Sequence, residues 1–127
     1  MKKFVIDTSA VLALIKEEKG CDVVKKYIQN STISTVNVVE VLTMMNRNSF
    51  DMNEAVKLLD SLVSEVIPFC HEQAYIASQL DSFTRQYGLS LGDKSCLALG
   101  KYKNLPVLTA DKIWADLNVG VEIVLIR

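Results

Sequence analysis

Cysteine and histidine are scarce in this sequence, which argues against two kinds of protein. The three cysteines, Cys21, Cys70 and Cys96, form an odd set without C-x-x-C spacing, and His71 is the only histidine. Such a set does not suit a disulfide framework and favours reduced thiols that serve as small core residues. With one imidazole, a zinc site built from cysteine and histidine is also disfavoured.

Proline and long apolar runs are scarce as well. Only two of the 127 residues are proline and half are hydrophobic, so disorder is not expected. Two lysines precede the first apolar run, as in a signal peptide, but Asp7 interrupts that run and the charged segment 16–19 ends it. No segment approaches the roughly 20 apolar residues of a membrane span. We therefore expect a soluble, cytoplasmic protein with no membrane partner, folded as one domain over residues 1–127.

Short apolar segments alternate with longer amphipathic ones along the chain. Strands are predicted at 4–6, 32–34, 65–67, 105–109 and 122–126, and continuous apolar runs such as 4–6 are typical of strands covered on both faces. The helices predicted between them include one that Thr35 caps, with Val38, Val39, Leu42 and Met45 at helical spacing, and one from His71 to Tyr87 that Gly88 ends. This alternation predicts an α/β three-layer sandwich, with a mostly parallel five-stranded sheet flanked by helices.

Four acidic residues occupy positions that suggest a shared site. Asp7 and Asp111 follow predicted strands, and ligands of an open α/β sheet bind beyond the carboxyl ends of its strands. Asp93 lies in the first turn of a predicted helix. Glu40 lies in the apolar segment 36–42, where an unpaired buried carboxylate would be costly. Something has to compensate the charge of Glu40.

Each acid also has a purely structural interpretation. Asp7 and Asp111 are at positions suited to capping the helices that follow them, because aspartate is a preferred N-cap residue. Asp93 is placed to complement a helix dipole, an interaction worth about 0.3–1 kcal/mol at a surface. For any one of these three residues the structural role is at least as probable as the functional one.

A divalent cation would account for all four acids together. Mg²⁺ and Mn²⁺ prefer carboxylate and water oxygens, and a bound cation can activate water and neutralise the charge of a phosphodiester. The chain carries 14 basic and 15 acidic residues, so the remainder is net positive once these four are set aside. Basic side chains available for a phosphate-binding rim are Lys16, Lys19, Lys25, Lys26, Arg47, Arg85, Lys94, Lys101, Lys103 and Lys112. For any single one, simple solvation is the ordinary role.

Four motifs follow one another along the chain, namely Ile6-Asp7-Thr8-Ser9, Asn37-Val38-Val39-Glu40, Leu91-Gly92-Asp93 and the segment from Leu105 through Asp111 to Leu117. In this order they resemble the PIN-domain nucleases, especially the VapC toxins of type II toxin–antitoxin modules. No single motif is specific, but their order and spacing cover essentially the whole chain, which is therefore interpreted as a single PIN-like domain.

The resemblance implies a five-stranded parallel sheet and RNA cleavage that depends on Mg²⁺ or Mn²⁺, with transfer RNA as the favoured substrate. It also implies a cognate VapB-type antitoxin and a homodimer. Asp7 and Asp93 would be the primary metal ligands, and Glu40 and Asp111 would complete the shell. Supporting hydroxyl and amide positions match Ser9, Thr109 and Asn37. Asp116 is either a fifth acid or a surface residue, and Trp114 either packs in the core, the favoured role, or stacks on an RNA base.

Other functions remain open on the residues alone. An aspartyl-phosphate phosphatase also has an aspartate after its first strand, but it needs a second one where this chain has Ser9. A phospho-accepting signalling domain expects an adjacent acidic pair, which Ile6-Asp7-Thr8 lacks. A non-catalytic RNA- or protein-binding module on the same fold is distinguished only by an activity assay.

Overall fold

The computed structural model describes residues 2–127, in which strands and helices alternate. The strands are β1 (Phe4–Ile6), β2 (Ser31–Ser34), β3 (Glu65–Ile67), β4 (Val107–Thr109) and β5 (Ile123–Leu125). The helices are α1 (Thr8–Ile15), α2 (Cys21–Tyr27), α3 (Thr35–Arg47), α4 (Met52–Leu62), α5 (His71–Gln79), α6 (Asp81–Thr84) and α7 (Leu91–Lys103). Short 3-10 segments occupy Ile28–Asn30, Arg85–Tyr87 and Lys112–Asp116. No helix within residues 2–127 has the length and apolar character needed to cross a membrane.

The five strands form one sheet in the order β3-β2-β1-β4-β5, and every neighbouring pair is parallel. The predicted α/β sandwich with a five-stranded sheet is therefore confirmed. Side chains of β1 alternate between two cores, because Phe4 and Ile6 pack with α1, α3 and α4 on one face while Val5 packs with α7 on the other. Apolar contacts on both faces explain why β1 is a continuous run of hydrophobic residues.

The first residues of α3 differ from the prediction. Ser34, rather than Thr35, caps the helix, since its hydroxyl accepts from the backbone N–H of Val36 at 3.2 Å. Thr35 Oγ1 instead accepts from the backbone N–H of Phe69 at 3.1 Å and links α3 to the segment after β3. Val39 was predicted on the buried face but is 65% exposed, because the buried stripe runs through Asn37, Val41 and Met45.

The prediction of one long helix from His71 to Tyr87 was also wrong. The chain forms α5, turns at Leu80, and continues as α6 and a 3-10 segment before Gly88 ends it with φ +66°. Leu80 is buried, and its carbonyl accepts from both the hydroxyl and the backbone N–H of Thr84. Hydroxyl bonds of this kind compete with the regular helical pattern and bend helices.

Strand order places a crevice at the carboxyl end of β1. From β1 the chain passes to β2 on one side of it, and β4 later joins on the other side. Such a reversal leaves a crevice between the two neighbouring strands, where α/β sheets bind their ligands. Ile6 pairs with Leu108, so the residues that follow these two strands meet at the same edge.

Candidate active site

Asp7 lies at this crevice, directly after β1. Its side chain is 3% exposed and makes no capping bond to α1, so the structural role considered for it is not observed. Its Oδ2 accepts instead from Ser9 Oγ at 2.6 Å and Thr109 Oγ1 at 3.0 Å. The backbone N–H of Asp7 donates to the carbonyl of Leu108 at 2.9 Å. Asp7 thus joins the ends of two strands that are about 100 residues apart in the chain.

Burial changes the pKa of the Asp7 carboxyl group. Desolvation raises the pKa of Asp7 to about 6, although the hydrogen bonds from Ser9 and Thr109 lower it in part, and the nearby Asp93 raises it further. A carboxylate in this setting is held without a cation beside it, because within residues 2–127 Asp7 has no ion-pair partner. The site therefore stores electrostatic free energy that a bound cation would release.

Glu40 is oriented by residues from two other segments. Its Oε1 accepts from Thr8 Oγ1 at 2.6 Å and from Asn37 Nδ2 at 3.0 Å. Asn37 is fully buried, and its Nδ2 also lies within hydrogen-bond distance of Thr8 Oγ1 and the carbonyl of Gly92. These bonds compensate the half-buried carboxylate that the sequence left unexplained.

Gly92 supplies space for that carboxylate. A Cβ atom built at Gly92 would overlap the carboxylate of Glu40, so α7 approaches Glu40 through its bare backbone. Together with the hydrogen bond from Asn37 to the Gly92 carbonyl, this contact fixes the distance between α3 and the first turn of α7.

Asp93 serves α7 as well as the crevice. Its Oδ2 accepts from the backbone N–H of Ser90 at 2.9 Å while Ser90 Oγ accepts from the N–H of Asp93, which together form a capping box. Burial raises the pKa of Asp93, and the negative charges of Glu40 and Asp111 raise it further against the lowering effect of the Ser90 bonds. The helix-stabilising role and an acidic environment are therefore both present.

Asp111 caps the 3-10 segment after β4, since its Oδ1 accepts from the N–H of Ile113 at 3.1 Å. The loop that carries it is tied to Asp7, because Thr109 Oγ1 accepts from the backbone N–H of Asp111 and Ser9 Oγ accepts from that of Ala110. Ser9 and Thr109 thus connect the two aspartates that follow β1 and β4.

Electrostatic influence shows how the four acids are grouped. The negative charge of Asp93 raises the pKa of Asp7, and the negative charges of Glu40 and Asp111 raise the pKa of Asp93. The thiol of Cys96, fully buried on α7, has a pKa raised first by burial and then by the charges of Asp7, Asp93 and Glu40. None of the four acids takes part in an ion pair within the described part of the chain.

The two remaining candidate residues, Asp116 and Trp114, both lie outside the group of acids. Asp116 is exposed at the end of its 3-10 segment and has no hydrogen bond or ion pair to the acids within residues 2–127. Trp114 is fully buried in the core beneath α7, as favoured by the sequence, and does not reach the crevice surface.

Thr8 and Gly92 were not identified from the sequence as residues of the site. A glycine in the first turn of a helix was the available signal, since it weakens a helix by about 1 kcal/mol and suggests a close contact.

The residues present suit a divalent cation of the magnesium type. Asp7 is a buried oxygen donor without a cationic partner, and the other nearby donors are carboxylates and hydroxyls, which are the ligands such ions prefer. No three acidic, histidine or cysteine side chains among residues 2–127 are arranged to enclose an ion by themselves. Mg²⁺ usually retains several waters and binds through one or two carboxylates, so a closed cage is not required.

The chain belongs to the PIN-domain family, whose model matches residues 4–119. The matched range contains all four acids together with Thr8, Ser9, Asn37 and Thr109, so the crevice lies within the family's own fold. The resemblance seen in the sequence is thereby confirmed.

Curated relatives place the chain among the VapC ribonucleases of this family. A VapC ribonuclease of Mycobacterium bovis and ribonuclease VapC42 of Mycobacterium tuberculosis are each 32% identical over 119 residues, covering 82% of this chain and 87% of theirs. Among solved structures, a toxin–antitoxin complex from Klebsiella pneumoniae superposes with a TM-score of 0.76 at 17% identity, covering 98% of both chains. VapC20 of Mycobacterium tuberculosis, titled a sarcin–ricin loop cleaving toxin, gives a TM-score of 0.73 at 16% identity over 90% of this chain and 94% of its own.

Proposed function

We propose that this chain is a Mg²⁺- or Mn²⁺-dependent endoribonuclease and the toxin of a toxin–antitoxin pair, with Asp7, Glu40, Asp93 and Asp111 as its acidic site. The observation that carries the proposal is the group of acids without cationic partners at the β1/β4 crevice, with Asp7 almost fully buried. The ribonuclease names of the relatives support the reaction, and the toxin–antitoxin titles of similar structures support the biological role. As part of this proposal, the protein acts in the cytoplasm, where RNA substrates are available.

Each side chain has a part in the proposed reaction. Asp7 and Asp93 would hold the cation, with Glu40 and Asp111 completing its shell directly or through water. A bound divalent cation supplies an activated water and neutralises charge that develops on the phosphodiester. Ser9 and Thr109 hold Asp7 in place by donating to its Oδ2. Water attacks phosphorus and gives up a proton, the P–O bond to the leaving oxygen breaks, and that oxygen takes up a proton from solvent, so that no covalent enzyme intermediate forms.

Glu40 is suited to receive a proton during this attack. Both of its hydrogen bonds, from Thr8 and Asn37, go to Oε1 and hold the carboxylate in one orientation. Oε2 is thereby left as an acceptor for a proton of the attacking water.

Metal-dependent cleavage is the direct test. The purified chain is expected to cut RNA into discrete fragments with Mg²⁺ or Mn²⁺, to stop when EDTA is added, and to resume when the metal is restored. Transfer RNA is the substrate we favour, so cleavage of a transfer RNA pool is compared on sequencing gels with cleavage of a ribosomal-loop oligonucleotide. Cleavage that continues at the same rate in excess EDTA would contradict the proposed chemistry.

Two protein partners form part of the proposal. Exposed apolar side chains on helices between residues 51 and 87, namely Met52, Val56, Tyr75 and Phe83, favour a homodimer of this chain. A cavity of about 270 Å³ between α1 and α3 is lined by Leu12, Ile15, Met44, Met45 and Phe50 along with Lys16 and Asn48, and it favours an antitoxin helix. Light scattering should give twice the chain mass for the isolated protein and a larger complex with the antitoxin. A monomer at micromolar concentration would contradict the dimer.

A further inference from the structure

A second cavity opens directly from the acidic site and contains an arginine. Its volume is about 310 Å³, and its lining residues are Thr8, Val39, Glu40, Thr43, Met44 and Arg47. Four of these residues lie on one face of α3, because positions 40, 43, 44 and 47 repeat at helical spacing. Glu40 and Arg47 are seven residues apart, which corresponds to about 10 Å along the helix axis. We call this cavity the α3 groove.

Among residues 2–127, Arg47 is the arginine that has no ionic partner. Arg85 pairs with Asp81, and Arg127 pairs with Glu18 and donates to the carbonyl of Lys19. Within residues 2–127, no salt bridge or hydrogen bond engages the guanidinium of Arg47, which is exposed at the end of α3. A guanidinium in this position is available for an anion from outside the protein.

The chemistry of the α3 groove matches a nucleic-acid strand. Its acidic end at Glu40 belongs to the site that we propose for cleavage, and its cationic end lies two helical turns away. Val39, next to Glu40 in the chain, is 65% exposed, and Thr43, between the two ends, offers a hydroxyl. Apolar surface suits the faces of sugars and bases, while a guanidinium suits a phosphate through two parallel hydrogen bonds. One phosphate at the acidic site and another at Arg47 would align the strand along α3.

We propose that Arg47 binds a phosphate of the RNA strand next to the one that is cleaved, and so sets the position of the strand in the α3 groove. This inference rests on the proposed ribonuclease function, since it concerns the same substrate and the same crevice. It assigns Arg47 to substrate binding and gives it no part in bond cleavage.

Binding by a protein that does not cleave RNA tests the contact without relying on catalysis. A fluorescein-labelled single-stranded RNA is titrated by anisotropy against the Asp93→Asn protein and the Asp93→Asn/Arg47→Gln protein. Loss of Arg47 is expected to raise Kd about tenfold, because one charge-assisted contact with a phosphate is lost, and tenfold corresponds to about 1.4 kcal/mol. The slope of log K against log salt should become shallower by about 0.7, the value for one phosphate contact on a single strand.

Two further variants control for charge alone. Lys3→Gln removes one exposed positive charge just before β1, at the edge of the sheet opposite the crevice, and should leave Kd and the salt slope unchanged. Arg47→Lys should restore the salt slope but only part of the affinity, since lysine offers a point charge without the planar pair of donors. In the cleaving protein, Arg47→Gln should raise KM while kcat stays within about twofold.

The outcomes separate this inference from the function on which it rests. Equal Kd and salt slope with and without Arg47 would overturn the phosphate contact and leave metal-dependent cleavage by the wild-type protein standing. If RNA affinity is unchanged while an acidic peptide loses affinity on Arg47→Gln substitution, the α3 groove is a protein-binding surface and the inference is wrong. If no variant binds RNA even at low salt, the inference is overturned together with the proposed substrate.

Discussion

Asp93→Asn is expected to reduce RNA cleavage at least about 100-fold while the protein stays folded. Removal of outer hydrogen-bond partners of metal ligands already costs about 10- to 100-fold, and here a proposed ligand loses its charge. Asparagine keeps an oxygen that can accept from the backbone N–H of Ser90, so the capping box of α7 is maintained. Cleavage rates in Mg²⁺ and Mn²⁺, together with circular dichroism, measure both parts of the expectation.

Controls separate charge from helix stability. Asp116→Asn removes the same charge from an exposed residue with no contact to the acids, and it should cleave RNA like wild type. Asp93→Ala removes the cap as well, so it should cost about 1 kcal/mol of stability that Asp93→Asn retains. In cells without antitoxin, wild type should stop growth and Asp93→Asn should not. Near wild-type cleavage by Asp93→Asn would end the assignment of Asp93 to the active site.

Asp7 should make the metal-free protein less stable as pH rises from about 4 to 6. Its pKa is about 6 in the folded protein against 3.8 as the ordinary value, so in this range the unfolded chain releases its proton first. The folded state is therefore fully stabilised below pH 3.8 and loses that stabilisation as pH passes through 6. The loss amounts to about 3 kcal/mol from Asp7, and the raised pKa of Asp93 acts in the same direction.

Urea unfolding in EDTA measures this dependence through the fluorescence of Trp114, the only tryptophan and a fully buried one. Asp7→Asn should flatten the decline between pH 4 and 6, while Asp60→Asn, an exposed site on α4, should not. At pH 7.5, Mg²⁺ at 100 times its Kd should restore about 2.7 kcal/mol to wild type and nothing comparable to Asp7→Asn. A wild-type protein whose stability in EDTA is constant from pH 4 to 7 would contradict this account of Asp7.

The sheet and its functional edge were predictable because their signals are local. Apolar runs marked β1, β4 and β5, and a parallel sheet brings the residues after neighbouring strands to one edge. Asp7 and Asp111 were therefore predicted to share a crevice without a structure. Asp51 gives another local signal, because an aspartate three residues before Glu54 has the spacing of a capping box, and its Oδ2 accepts from the backbone N–H groups of Asn53 and Glu54.

The surroundings of Glu40 were not predictable, since they depend on how separate helices pack. The contacts with Thr8 and Gly92 join segments that are 32 and 52 residues away in the chain, and no periodicity records such distances. The exposure of Val39 has the same origin, because the rotation of α3 is set by Asn37 turning inward to bind the Gly92 carbonyl. Hydrogen bonds to other segments therefore set the orientation of α3, although the hydrophobicity of its side chains favoured a different orientation.

The bond between Thr109 and Asp7 bears on how the protein folds. The two residues are 102 positions apart in the chain, and closing so long a loop costs conformational entropy before the contact can form. The strand β4, which carries Thr109, must lie beside β1 before Asp7 receives this bond. A partly folded chain in which β1 pairs only with β2 lacks one side of the crevice, so we expect RNA cleavage to require the complete sheet.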